Sequence, residues 1–314
     1  MSELGGPVSS TSGFSFDPAE LSPFSEWREL SDGGYSEVYK ARLLGATVAV
    51  KAATTRKKTS GESLLREIGY LRQSGPHPNI VQAYGAFIEG GRPHLILEFA
   101  RHCLRSDRVA RACDPILVMA GVARALVRIH SLGIVHRDLK TRNVLVAAEN
   151  RALLIDFGLA CDIRADSTEW LGRTVGTKKY RPPEMTRDHS ALAAPSMDVY
   201  CYGLMVDKIL KQRRDHSSSD DERSDEGRHE RRDCRLLGDL AQQCIERDPA
   251  VRPTAWVILG RLQRHVGEET ARCDTVRERV PLDAAPKPPP PRPASPSASG
   301  AEAQEGGDRK RSRC

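Results

Sequence analysis

The segment His136-Arg137-Asp138-Leu139-Lys140-Thr141-Arg142-Asn143 constrains this chain more than any other, because apolar runs bound it on both sides. Ile134-Val135 precede it and Val144-Leu145-Val146 follow, so its polar residues fall on a loop between two short buried pieces. Upstream, residues 115–131 set Ile116, Val118, Met119, Val122, Ala123, Leu126 and Ile129 in a wide apolar stripe. That stripe predicts a buried helix ending near Gly133. A loop anchored in this way brings an Asp, a Lys and an Asn to one cleft. Further on, Leu153-Leu154-Ile155-Asp156-Phe157-Gly158 reads as an apolar strand ending in a second Asp, with a Gly that frees the backbone to turn.

With 314 residues the chain can bury a substantial core around that loop. Its hydrophobic fraction of 39 % against 29 % charged residues is polar for a globular chain, which predicts hydrophilic additions to a folded part. Lys plus Arg at 48 against Asp plus Glu at 42 gives a net charge of +6, too small to indicate a nucleic-acid partner without a clustered patch. No run is long and apolar enough to cross a bilayer, so no membrane partner is expected. The eight cysteines have no Cys-x-x-Cys spacing, which argues against a zinc or redox site and for a reducing, cytoplasmic setting.

Residues 1–26, rich in Ser, Gly, Pro and Thr and without periodicity, read as a disordered leader. Short β-type runs follow at 29–30, 37–43 and 47–52, with Leu44-Gly45 as a tight turn. Residues 62–72 carry Leu64, Leu65, Ile68 and Leu71 at helical spacing, and strands are expected at 80–88 and 94–99. A small antiparallel sheet with one helix results. Helices at 198–210, 235–247 and 254–266 make the remainder mainly helical. Residues 211–235 are almost entirely Arg, Asp, Glu, Ser and His, and read as an exposed charged loop. The end of the chain, 269–314, is Pro-rich, basic and expected to be disordered.

In these motifs the chain resembles the eukaryotic-type protein kinases of the Ser/Thr class, in particular their tyrosine-kinase-like group. The resemblance implies an α+β, bilobal protein-kinase fold over 27–268, with an N-lobe at 27–97, a hinge at 98–102 and a C-lobe at 103–268. It implies transfer of the γ-phosphate of ATP, with Mg²⁺, to Ser/Thr hydroxyls of protein substrates in signalling. Lys51 would then hold the α- and β-phosphates and pair with Glu67. Asp138 would orient the attacking hydroxyl, Lys140 would face the γ-phosphate as in Ser/Thr kinases, and Asn143 and Asp156 would ligate Mg²⁺. Glu98 and Ala100 would bind the adenine edge through their backbones beside a Leu97 gatekeeper, with Val38, Ala49 and Leu145 on its faces.

The resemblance also makes Gly176-Thr177-Lys178-Lys179-Tyr180-Arg181-Pro182-Pro183-Glu184 a peptide-docking segment, with Pro182 where the family has Ala. Thr177 is expected beside Asp138 and Lys140, Glu184 with Arg252, and Asp198 as a brace of the catalytic loop. Arg137 is expected to meet a phosphate on the activation segment, with Thr174 favoured as acceptor over Ser167 and Thr168. Lys178, Lys179 and Arg181 point to tolerance of acidic residues in the substrate.

The pattern breaks in three places. Where the family's phosphate-covering loop has three glycines, this chain has Ser31, Gly33 and Ser36, which leaves Gly33 as the glycine of the ATP site. Ala83 stands where a larger apolar residue would back the helix of Glu67. The charged loop 211–235 replaces an apolar, substrate-facing helix, and Ser217, Ser218 and Ser219, each followed by an acid three residues on, are candidate phosphoacceptors in it. The rival reading is a pseudokinase scaffold: the thin glycine loop favours it, and Lys51, Glu67, Asp138, Asn143 and Asp156 oppose it. In the tail, Lys287-Pro288-Pro289-Pro290-Pro291-Arg292-Pro293 suits a polyproline-reading adaptor, and the cluster 309–313 is a nuclear import signal or a solubilising end.

Overall fold

Alternating small apolar and polar residues start the first strands, β1 (Arg28–Asp32), β2 (Ser36–Leu43) and β3 (Ala46–Ala53). Leu44 and Gly45, at φ 48° and 86°, form the two-residue turn that the strand twist demands between β2 and β3. This is a computed structural model that describes residues 16–23, 26–32, 36–187, 191–214 and 225–266. Gly33, Ser217–219 and both tail motifs lie outside the described residues. The chain divides into units Met1–Glu268 and Glu269–Cys314, and the second holds no described residue.

Helix α1 (Ser60–Ser74) follows β3 and crosses one face of the sheet, which β4 (Ala83–Glu89) and β5 (Arg92–Glu98) complete in the order β1-β2-β3-β5-β4, antiparallel throughout. Leu64, Ile68 and Leu71 of α1 bury against Leu95 and Leu97, and Ala83 lies in the same core opposite Leu97. The other face presents Ala41, Val48, Val50, Phe87 and Ile96, which must also be covered. Residues 16–23 and Trp27 cover it. Phe16 donates its N–H to the Ala86 carbonyl at 3.0 Å, Leu21 bridges to Leu43 and is 8 % exposed, and the Trp27 indole bonds the Ser22 carbonyl at 2.9 Å. The leader expected to reach residue 26 is thus part of the fold over residues 16–23; its anchors Phe16 and Leu21 follow no period, so periodicity misses them.

The lower lobe begins with β6 (His102–Cys103), α2 (Asp107–Ala112) and α3 (Pro115–Ser131). Asp114 starts α3 by accepting the Leu117 N–H, and Pro115 stands at its first turn. Then come β7 (Ile134–Val135), β8 (Val144–Val146), β9 (Ala152–Leu154) and β10 (Cys161–Asp162), which pair as β6-β8-β9 and β10-β7. Five helices complete the lobe: α4 (Thr168–Leu171), α5 (Pro183–Arg187), α6 (Pro195–Arg214), α7 (Asp225–Cys244) and α8 (Ala255–Val266). Their core is built on α3, with Met119, Leu126 and Ile129 packed among Tyr202, Leu240 and Ile258.

The charged stretch departs from expectation. Helix α6 runs on to Arg214 and α7 starts at Asp225, so only 215–224 of the expected loop lies outside the described residues. Lys211 pairs with Asp207 one turn back at 2.6 Å. Arg213 donates to the Arg111 and Cys113 carbonyls at 3.0 Å, which caps α2, and reaches Glu230 at 2.8 Å. A charge-rich sequence builds tertiary structure here because long basic side chains satisfy the orphan carbonyls of a helix end.

Candidate active site

The catalytic loop hangs on one carboxylate. Asp198, fully buried near the start of α6, accepts the N–H groups of His136 at 2.8 Å and Arg137 at 2.9 Å, and meets His130 Nε2 at 3.0 Å. Burial pushes this carboxyl up most, but His130 and His136 together outweigh it and hold it below the ordinary carboxylate range. The two bonds fix Arg137 at φ 64°, a left-handed conformation costly for a side-chain-bearing residue. His136 packs edge-on against Phe157 at 4.9 Å; its Nδ1 accepts the Asp138 N–H at 3.3 Å, which leaves Nε2 to donate to the Ile155 carbonyl at 3.0 Å.

Asp138 is thereby aimed into the cleft, and four groups converge on it. Its Oδ1 accepts the Thr177 N–H at 2.9 Å and the Thr177 hydroxyl at 2.8 Å. Its Oδ2 is bonded by Lys140 Nζ and by Asn143 Nδ2, the latter at 3.2 Å. Lys140 also reaches Thr177 Oγ1 at 2.9 Å. Asn143 is tied to the second Asp through the backbone, because the Ile155 N–H bonds its carbonyl at 3.0 Å. The structure therefore gathers Asp138, Lys140, Asn143, Asp156 and Thr177 at one place.

Lys51 on β3 closes the site from above. Its ammonium lies 2.6 Å from Glu67 Oε2 and 2.9 Å from Asp156 Oδ1. Burial alone would lower the Lys51 pKa, and the two carboxylates reverse that and raise it. Burial raises Glu67, against the pull of Lys51. At Asp156 burial also works upward, yet Lys51 prevails and the carboxyl is held at about 2. Two anions thus share one cation, poised for further positive charge.

Val38 and Ala49 in the upper sheet and Leu145 in β8 are each half-buried, although Val48, Val50, Val144 and Val146 beside them are fully buried. Apolar side chains left half-open above and below the site are the kind that a flat apolar group covers. Glu98 ends β5 and Ala100 follows two residues on; the Glu98 N–H bonds the Gln82 carbonyl at 2.8 Å, and its carboxylate pairs with Arg151.

The activation segment, 156–184, packs beneath α1. Ser63 bonds the Gly158 carbonyl at 3.2 Å, the Tyr70 hydroxyl bonds Asp166 at 2.6 Å, and Gln73 bonds Asp162 at 3.1 Å. Arg137 gives its guanidinium to the carbonyls of Trp170 at 2.9 Å and Arg173 at 2.8 Å. Gly176, at φ 81°, lies so near the Arg137 carbonyl that a Cβ would collide with it. Arg181 turns inward to the Gly176 carbonyl at 3.0 Å, which leaves Lys178 and Lys179 exposed, and Glu184 meets the buried Arg252. Sequence reasoning missed Ser63, Tyr70, Gln73, Asp162, Asp166 and Trp170. The i, i+7, i+10 spacing of Ser63, Tyr70 and Gln73 along one edge of α1 is the signal that could have found the first three.

A five-stranded sheet with one helix, set on a helical lobe with a Lys–Glu–Asp cluster and an Asp–Lys–Asn loop between them, defines the bilobal phosphotransferase class. The protein kinase domain family matches residues 24–261, and the chain belongs to it. Among curated relatives it is 35 % identical over 208 residues to an Arabidopsis thaliana protein named "Probable LRR receptor-like serine/threonine-protein kinase", a match covering 60 % of this chain and 21 % of that one. It is 30 % identical over 217 residues to cysteine-rich receptor-like protein kinase 25 of the same plant, covering 65 % and 32 %. The chain thus spans between about a fifth and a third of the length of these relatives. Among the described residues no helix is long and apolar enough to cross a membrane.

Proposed function

We propose that this chain is a protein serine/threonine kinase that transfers the γ-phosphoryl group of ATP to hydroxyls of protein substrates. The convergence of Lys140, Asn143 and Thr177 on the Asp138 carboxylate carries this reading. The Thr177 N–H and hydroxyl hold Oδ1 in place, so that the Asp138 carboxylate faces a substrate hydroxyl in the cleft. There the hydroxyl oxygen attacks the γ-phosphorus, its proton passes to Asp138, and the bond to the β-phosphate oxygen breaks to release ADP. Alignment and charge neutralisation, rather than a strong base, supply the rate.

Lys51, oriented by Glu67, holds the α- and β-phosphates, and Lys140 neutralises charge at the γ-phosphate. The donor set suits Mg²⁺: Asp156 offers carboxylate oxygen, and Asn143 spends its NH₂ on the Asp138 carbonyl at 2.9 Å, which sets its amide oxygen on the other side. Bound there, the ion supplies neutralisation of the phosphate oxygens. Val38, Ala49 and Leu145 form the adenine slot, with the Glu98 and Ala100 backbones at its edge.

The assembled Lys51–Glu67–Asp156 cluster disfavours a scaffold without transfer. Exposed Lys178 and Lys179 support substrates with acidic residues near the acceptor; Arg181, bonded inward, has no part in that. Labelled ATP with a generic protein acceptor, beside Asp138→Asn, tests the reading. Phosphate incorporation in the unaltered chain and a loss of about 10²-fold or more in the variant is expected, and equal background in both would sink it.

A further inference from the structure

Three guanidinium groups surround the Trp170 side chain in α4. Arg66 of α1 lies 4.0 Å from its ring centroid, Arg137 of the catalytic loop 4.9 Å, and Arg173 of the activation segment 5.3 Å. The ring is itself held, since its Nε1 donates to the Ala160 carbonyl at 3.3 Å. Like charges gathered so closely repel one another unless something negative lies between them. The π-face of an indole provides that, and a desolvated cation such as Arg137, 4 % exposed, gains most from it. The carbonyls of Trp170 and Arg173 occupy both terminal nitrogens of Arg137, and Asp166 lies 3.9 Å from Arg66.

Each arginine belongs to a different part of the machinery. Arg66 adjoins Glu67, the partner of Lys51, so a helix fixed at Arg66 keeps Glu67 in place. Arg137 adjoins Asp138. A negative charge that gathers these arginines would order the segment, and the ring already fills that place.

We propose that Trp170 is a positioning residue that locks α1, the catalytic loop and the activation segment together, so that the chain holds its working arrangement without a phosphate on that segment. The inference rests on the kinase reading for its effect on turnover, and on geometry alone for its effect on α1. In this structure Arg137 is bound to carbonyls and an indole, not poised for a phosphothreonine at Thr174.

The test uses the full chain, dephosphorylated and verified by mass spectrometry, with Trp170→Leu, Trp170→Phe, Thr174→Ala and Asp138→Asn variants. Peptide phosphorylation and hydrogen exchange of the α1 amides are measured on each. The dephosphorylated chain should keep its kcat within about twofold, and Trp170→Leu, which stays apolar but loses the π-face, should lose about tenfold or more. Exchange in α1 should quicken in Trp170→Leu, stay near the unaltered rate in Trp170→Phe, and not change in Thr174→Ala. Silencing by dephosphorylation, a loss in Thr174→Ala equal to that in Trp170→Leu, or α1 exchange unchanged in Trp170→Leu would each overturn the inference. If Asp138→Asn matches the unaltered chain in turnover, the kinase reading fails and the α1 exchange alone decides about Trp170.

Discussion

Glu184 and Arg252, 68 residues apart, meet through two parallel bonds of 2.7 and 2.8 Å, with the Arg252 side chain wholly buried. Arg252 also donates to the Ser196 and Glu246 carbonyls at 3.0 and 2.8 Å and lies over the Tyr200 ring. One guanidinium thus joins the end of the docking segment to α6 and to the approach to α8. Removing either partner leaves a buried charge without its counterpart, at a cost of about 3–5 kcal/mol. Glu184→Gln and Arg252→Lys should both lower the unfolding midpoint in urea, and Arg252→Lys, which loses the planar fork, should not behave as a conservative change. An unchanged midpoint in both would refute this account.

Lys51→Met tests a different balance. It removes the cation shared by Glu67 and Asp156, so both carboxyls should become easier to protonate, and phosphoryl transfer should fall by about 10²-fold or more. Turnover with radiolabelled ATP measures the loss. Transfer within a few-fold of the unaltered chain would mean that Lys51 does not serve the phosphates.

Gly176→Ala should cost activity without altering any charged side chain. Its Cβ would meet the Arg137 carbonyl, and φ 81° is itself unfavourable for Ala, so the segment must move and take Thr177 off Asp138. A drop in kcat of about tenfold or more is expected, while far-ultraviolet circular dichroism stays unchanged. Full activity in this variant would show that the close approach is dispensable.

Acid should weaken the fold through His77. Burial first, then Arg128 and Arg124, press its imidazole from 6.5 down to about 4, and its Nδ1 accepts the Asn79 N–H at 3.1 Å, which requires a neutral ring. The unfolded chain takes up this proton near pH 6.5 and the folded chain only near 4, so the contribution to stability is full above 6.5 and declines as the pH falls between those values. Thermal melts at pH 7 and pH 5 should show a larger drop for the unaltered chain than for His77→Asn. Parallel drops would remove His77 as the cause.

Asp138, Lys140, Asn143 and Asp156 were legible in the sequence because they lie close together on a loop and strand flanked by apolar runs. The segment that packs on α1 was not. Tyr70 finds Asp166 across 96 positions and Gln73 finds Asp162 across 89, and no local pattern announces a hydrogen bond between parts so distant. Nothing local singles out Trp170; only folding shows which arginines it gathers. Arg213 was hidden for another reason, since its charge counted as evidence for solvent although its donors serve the carbonyls that end α2. The five strands of the upper sheet lie where the sequence placed them, but most of their ends shift by one to three residues, because a strand stops where its partner stops.

The cover that Phe16, Leu21 and Trp27 provide for the upper sheet sets where the chain can be shortened. A version beginning at residue 28 keeps every residue of the proposed site, yet it bares Ala41, Val48, Val50, Phe87 and Ile96 as one adhesive apolar patch beside an open strand edge. Such a trimmed protein would be lost to self-association rather than to any fault of chemistry, and an inactive, clumping preparation of it would say nothing about Asp138.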